Sequence, residues 1–228
     1  MNIQHDIGKV YSDFLNDENR KNFENRYVGK EHYYHGSGAG KCSRQLYFKS
    51  VEKAEATNLP NTASMRKMRL GTVMHEDIQK SLLIYNNTNN ININNNITNN
   101  TSNENINKNI GTSQVYDIEG EIIIDELSVR GFYDIVQNKD GQIFLYDIKT
   151  AADYSFKKVF NTTEPYTMKH QELQVSTYGY GVREKYGKLD GMYIMYYNKN
   201  TSVIKYKQIP LMMLNSAYMF WANINKQH

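Results

Sequence analysis

The stretch Asn138-Lys139-Asp140-Gly141 lies between two runs, Ser128 to Gln137 and Gln142 to Thr150, that are rich in β-branched and aromatic residues. Such runs favour strands, and an Asp-Gly pair between them favours a tight reversal. The middle of the chain is therefore committed to an antiparallel hairpin, which is stable only inside a larger sheet or against a helix. A third strand-like run, Val115 to Asp125, precedes the hairpin; two more, Gly191 to Asn198 and Ser202 to Ile209, follow it.

Helical patterns fill most of the rest. Ile3, Ile7, Val10, Tyr11, Phe14 and Leu15 fall at helical spacing, and a short helical patch covers Arg44 to Ser50. A stronger helix begins near Asn61-Thr62 and is clearest from Arg66 to Ile84, where Met74, Ile78 and Leu82 recur every fourth residue as the buried face. Another is predicted over Met168 to Tyr186, ended by Gly187, and a last one just after Pro210. Helix, three strands, helix, two strands, helix is the order of a mixed α/β (α+β) domain with one central sheet flanked by helices.

The 228 residues suit one domain, 1–228, with an N-terminal helical region over 1–60. Mean hydropathy is low, at −0.71. The deficit is local: residues 86–109 are more than half asparagine, and 86–110 are read as an inserted loop with no packing pattern. The first ten residues lack the apolar centre of a signal peptide, and no run is long enough to span a membrane, so a cytoplasmic protein is expected. A net charge of +3 permits an anionic partner without demanding one. The single cysteine, Cys42, excludes an intramolecular disulfide and a cysteine-held iron–sulfur cluster.

His35 to Cys42 (HGSGAGKC) imitates a phosphate-binding P-loop, but His35 stands where glycine is needed and Cys42 where serine or threonine is. His32, His35 and Cys42 match no common zinc spacing and lack a fourth ligand.

The chemistry concentrates on the hairpin. On a strand, residues two apart share a face, so Asp147 and Lys149 point one way and Ile148 the other. If Gln137 pairs with Gln142 around a four-residue loop, Asp134 faces Leu145 and lies diagonal to Asp147, at roughly 5–8 Å. Two carboxylates converging beside a lysine within apolar strands are costly unless something binds there, and oxygen ligands favour Mg²⁺ or Mn²⁺. On the strong helix, Gly71 and His75 are one turn apart beside the Met74/Ile78 stripe, which lets the backbone approach closely and aims the histidine inward. Gln174 and Tyr178 are likewise one turn apart on the helix after the hairpin.

Taken in order, G-x-x-x-H, G-x-x-D, D-x-K and Q-x-x-x-Y resemble the RecB-like branch of the PD-(D/E)XK nuclease superfamily, over roughly Met65 to Ile209. The resemblance implies a restriction-endonuclease-like core and a metal-dependent DNA exonuclease of viral or prokaryotic type, acting in recombination, replication or repair. It implies His75, Asp134, Asp147 and the main-chain carbonyl of Ile148 as metal ligands, with Glu121 as a further candidate. Lys149 would be the catalytic lysine, together with Asp147 and Asp134. Gln174 and Tyr178 would support DNA contact and site geometry, with Arg44, Arg66, Lys67 and Arg69 as phosphate contacts and Lys157 and Lys158 a second basic cluster. The substrate would be DNA, a recombination or replication protein is an allowed partner, and the place is the cytoplasm, the host's if the source is viral. The proline of the superfamily name is absent, since Tyr133 precedes Asp134. Lys41 to Phe48 looks like the first-cysteine region of the cluster-binding members, but no second cysteine follows. An endonuclease, or a DNA-binding or assembly module without catalysis, fits the same fold; a regulatory protein engaging a partner through the asparagine-rich loop is a further alternative.

Overall fold

The computed structural model describes residues 7–25, 33–52, 54, 60–98, 114–161 and 168–227. In chain order the elements are α1 (Ile7–Asn25), β1 (Tyr34–His35), α2 (Ser43–Ser50), α3 (Thr62–Thr98), β2 (Gln114–Ile124), β3 (Val129–Lys139), β4 (Gln142–Ala151), α4 (Asp153–Val159), α5 (Lys169–Tyr186), β5 (Gly191–Asn198), β6 (Ile204–Ile209) and α6 (Met213–Gln227). One mixed six-stranded sheet, with helices against it, forms the centre of the fold, as the pattern predicted.

The hairpin turn is tighter than the expected four-residue loop. Asp140 and Gly141 both take positive φ, +52° and +80°. That pair of angles closes a two-residue reversal whose twist suits the flanking strands. Asn138 and Lys139 therefore belong to β3, and Lys139 pairs with Gln142. The register moves by two residues, which keeps every side chain on its predicted face.

β3 is the organising strand. β2 pairs antiparallel with it from Val129 to Lys139, skipping Asp134. On the opposite edge, β4 pairs only with Ile135 to Lys139, while β1 pairs parallel with Val129 and Arg130. β3 and β4 thus separate below Ile135, leaving a fork that opens at Asp134. Beyond the fork β4 pairs parallel with β5, and β6 closes the other edge antiparallel.

The larger core fills one face of the sheet, where Leu145, Ile194, Val175, Val182 and Trp221 are buried between the strands, α5 and α6. Trp221 Nε1 donates to Thr177 Oγ1 at 2.9 Å, so its polar edge is satisfied inside that core. On the other face Ile135, Ile148 and Met195 form a smaller cluster beneath Ile78 and Leu82 of α3. Asn61 Oδ1 accepts the Ser64 N–H at 2.9 Å and caps the start of α3.

Some expectations are corrected. Of the predicted inserted loop, residues 86–98 continue α3, and 99–110 lie outside the described residues, as do residues 1–6, 26–32, 53 and 55–59 of the N-terminal region. Asn86 has a tertiary role: its Nδ2 donates to the Tyr116 carbonyl at 2.7 Å, and its Oδ1 accepts the Tyr116 N–H at 3.1 Å. On α1 only Leu15 of the predicted apolar face is buried, while Ile7, Val10, Tyr11 and Phe14 are exposed and Ile3 lies outside the described residues. β1 and α4 were not predicted; each is too short to leave a periodic signal. Among the described residues, no helix is long and apolar enough to cross a membrane.

Candidate active site

The fork brings together side chains from three elements. Asp134 stands at the point where β3 leaves β4, and its Oδ2 accepts the backbone N–H of Ile148 at 2.6 Å. That N–H belongs to a stretch of β4 with no β3 partner, so a side chain does the work of a missing ladder bond. On the same strand Asp147 is 1% exposed, and Lys149 Nζ stands 2.7 Å from its Oδ2. This is an ion pair and not an aligned hydrogen bond: neither carboxylate oxygen of Asp147 has a partner in hydrogen-bonding geometry.

A buried carboxylate without well-aligned donors is expensive to ionise. Burial pushes the Asp147 carboxyl up to about 6, against the pull of the Lys149 ammonium and with further repulsion from Asp134. Lys149 is held above its usual range: burial opposes its charge, but Asp147 and Asp134 outweigh the burial.

α3 covers the fork from the second face. His75 Nδ1 lies 3.7 Å from Asp134 Oδ1. Burial disfavours the imidazolium, yet Asp134 outweighs it and raises the His75 pKa, with Lys149 and Asp147 acting in opposite directions. The helix approaches so closely because residue 71 is glycine: a Cβ there would stand 3.2 Å from Thr150 Oγ1 of β4.

α5 supports the site from the larger core. Tyr178 is 3% exposed, and its hydroxyl receives a hydrogen bond from Gln174 Nε2 at 3.3 Å. Its ring is clasped by two glycines. A Cβ on Gly36 would come within 2.6 Å of the ring, and one on Gly131 within 2.8 Å. Burial raises the Tyr178 pKa, and the charges of Asp147, Asp134 and Glu119 change it further, Asp147 most of these three. Tyr178 therefore packs beneath the carboxylates and offers no surface to DNA; half-buried Gln174 holds its hydroxyl.

The remaining candidates are spread out. Glu121 is engaged by Arg130 Nε. Arg66 Nη2 donates to the Gly8 carbonyl and to Ser12 Oγ, at 3.1 and 2.8 Å, and so ties α1 to α3. Arg69 pairs with Glu76 at 3.6 Å, Lys67 is exposed, and Arg44 lies over the Phe48 ring at 5.6 Å. Lys157 pairs with Asp153 at 2.7 Å. None of these basic residues is in contact with the carboxylates of the fork. His32 lies outside the described residues, and Cys42 is exposed.

The donor set is hard: two carboxylates, the Ile148 carbonyl and one imidazole, which suits Mg²⁺ or Mn²⁺. The orphaned oxygens of Asp147 fit such a cation. Among the described residues, no three His, Cys, Asp or Glu side chains stand close enough together to hold a metal ion as they are. Lys149 instead supplies the positive charge beside Asp147.

No known family profile matches the sequence, and the search of curated proteins finds no relative. Twenty-two solved chains share the architecture. The protein SSO0001 is 14% identical over 96% of this chain and 87% of its own, with a TM-score of 0.53. A protein named as a candidate exonuclease, from Eubacterium rectale, is 17% identical over 89% of this chain and 83% of its own, with a TM-score of 0.50. An alkaline exonuclease from Laribacter hongkongensis is 11% identical over 90% and 91%, with a TM-score of 0.47. At these identities the likeness is one of fold: a mixed sheet flanked by helices, shared along nearly the whole chain.

Proposed function

We propose that the fork binds a divalent cation, Mg²⁺ or Mn²⁺, and that the protein is a metal-dependent deoxyribonuclease of the RecB-like PD-(D/E)XK type, an exonuclease acting in DNA recombination, replication or repair. The observation that carries this reading is Asp147, a buried carboxylate with both oxygens lacking hydrogen-bond partners, next to Asp134, Lys149 and His75. An ion pair between Asp147 and Lys149 does not itself require Asp134 and His75 beside it, whereas a cation would offset the repulsion between the two carboxylates. The named activity of the Eubacterium rectale neighbour agrees with it.

Asp134, Asp147, His75 and the Ile148 carbonyl would hold the cation. When bound, it supplies Lewis-acid polarisation of the scissile phosphate and acidifies the attacking water. The chain's own residues do the rest. Asp134 is fixed in direction by the Ile148 N–H and cannot swing away. Lys149, relieved of its role as counter-charge to Asp147, donates to a phosphoryl oxygen or to the water and stabilises the charge that develops in the transition state. Gln174 and Tyr178 hold the floor of the site. The cytoplasm, of the cell or of a host, is the place such an enzyme meets DNA.

Digestion of end-labelled linear and closed circular DNA with Mg²⁺, Mn²⁺ or EDTA tests this. Release of label from linear DNA alone, dependent on the metal, is expected. Cutting of the circle moves the reading to an endonuclease. Binding without cleavage under all three conditions leaves a DNA-binding module on the same fold.

A further inference from the structure

Glu119 sits in β2 with φ +53°, in the left-handed region that L side chains rarely adopt. The β2–β3 ladder runs Ile118 to Ile135 and Gly120 to Tyr133, and omits the pair between them, which is Glu119 and Asp134. The two carboxylate residues thus face each other across the one break in that ladder. α3 reaches both of them from consecutive turns: His75 stands over Asp134, and Gln79 Nε2 donates to Glu119 Oε1 at 2.6 Å. Gln79 is itself buried, at 7% exposure, whereas Glu119 is exposed. A buried amide is thus spent on aiming an exposed carboxylate, on a backbone angle that costs stability. Asp147, nearly fully buried and without an aligned hydrogen-bond donor, lies close enough to Asp134 and His75 to feel the charge of both. The field of Glu119 reaches Tyr178 together with those of Asp147 and Asp134.

We infer that Glu119 is a further functional carboxylate of the fork, serving a hydrated cation from the β2 side through its water shell, and that Gln79 is its positioning residue. The inference rests on the cation reading above. Direct ligation is not required, since Mg²⁺ keeps several of its waters in protein sites. Gln79 leaves Glu119 Oε2 free to accept from such a water. A carboxylate in this outer position raises cation affinity without closing the inner shell.

The positive φ makes the idea separable from a plain turn. Glycine adopts φ +53° freely, so in Glu119→Gly the relief of the backbone offsets the loss of the Gln79 hydrogen bond and the thermal midpoint should change little. If Glu119 serves the cation, the same variant should bind Mn²⁺ about tenfold more weakly, the lower end for losing an outer-shell partner. Glu119→Gln, which keeps shape and loses charge, should show the same loss of affinity, and Gln79→Ala a smaller one. Mn²⁺ titration of the full chain followed by electron paramagnetic resonance reads this without any turnover. Wild-type affinity in both Glu119→Gly and Glu119→Gln, with affinity lost in Asp147→Ala, overturns the role of Glu119 and leaves the cation site standing. Wild-type affinity in Asp147→Ala as well overturns the cation reading itself.

Discussion

Asp134 accepts the backbone N–H of Ile148, and that bond spans the gap where β3 and β4 part. It makes the separation of the two strands a stable part of the fold and not a frayed end. Asp147 and Lys149 flank Ile148, so the same bond sets where both side chains begin. The site depends on a carboxylate that already has a structural duty.

Asp147 carries no such duty. Asp147→Ala should abolish cleavage while the fold persists, because it deletes a buried carboxylate whose close partner is only the misaligned Lys149 ammonium. Circular dichroism and denaturant unfolding should show stability held or raised in metal-free buffer. Unchanged cleavage by this variant would end the proposed mechanism. Asp134→Ala should be the costlier change for stability, since it leaves the Ile148 N–H unpaired, by about 1–3 kcal/mol.

Lys149→Ala should lower single-turnover cleavage by about 10²–10³-fold with metal and DNA binding nearly intact, the scale for losing one preorganised charge stabiliser. Lys149→Arg should not restore the rate, because a planar guanidinium replaces a compact point charge on a flexible stem. If Lys149 only balances Asp147, excess Mg²⁺ should rescue Lys149→Ala fully. Rates at saturating Mg²⁺ decide between the two roles.

The pH dependence of stability follows from the sign of two shifts. The Asp147 carboxyl lies at about 6 in the folded protein against an ordinary 3.8, so the folded state holds a proton that the unfolded state has released. Stability should fall as pH rises between these values. His75, raised above its ordinary 6.5, adds stability at low pH that is lost as pH rises through its folded value, so its effect has the same sign at slightly higher pH. Urea unfolding in EDTA across this range should show the decline, and Asp147→Asn should remove its lower part. A rise in stability over the same range would contradict the burial of Asp147. In the cation reading, Mn²⁺ affinity should also increase with pH through about 6, as the carboxyl gives up its proton.

Gly131→Ala should press a methyl group into the Tyr178 ring and destabilise the protein by about 1–3 kcal/mol, the usual cost of overpacking. Gly141→Ala serves as the control, since its Cβ would meet nothing within 4 Å and only its φ of +80° opposes the change. Thermal unfolding of the two variants separates lost space from backbone strain. A fully neutral Gly131→Ala would mean that Tyr178 is free to move.

The face assignments on β4 were legible because side-chain alternation survives any shift by two residues. Asp147 and Lys149 therefore share a side with Leu145, and Ile148 packs opposite. The position of Asp134 along the hairpin was not legible to the residue, because it depends on whether Asp140 accepts a positive φ. His75 was readable from Gly71, whose lack of a side chain implied a close neighbour, and Thr150 is that neighbour. The tie of Arg66 to α1 was not legible, because its partners Gly8 and Ser12 are more than fifty residues away in the chain. The positive φ of Glu119 was not legible for a related reason: a charged residue in a strand shows its angle only once the break in the ladder is seen. Asparagine content disguised the continuation of α3, since a composition that cannot build a core can still prolong a helix that is already anchored.

β2 forms one margin of the sheet, and an unprotected margin is a template on which a second chain can add a strand. The Asn86 amide gives Tyr116 one donor and one acceptor, the same pair that an incoming peptide group would bring. The first asparagine of the tract thus acts as a dummy peptide that blocks edge-to-edge growth near the start of β2. Asn86→Ala should reopen that position, and light scattering at matched folded stability would show self-association rising with concentration. A residue that looks like filler in the sequence thus occupies a backbone position on the edge of the sheet.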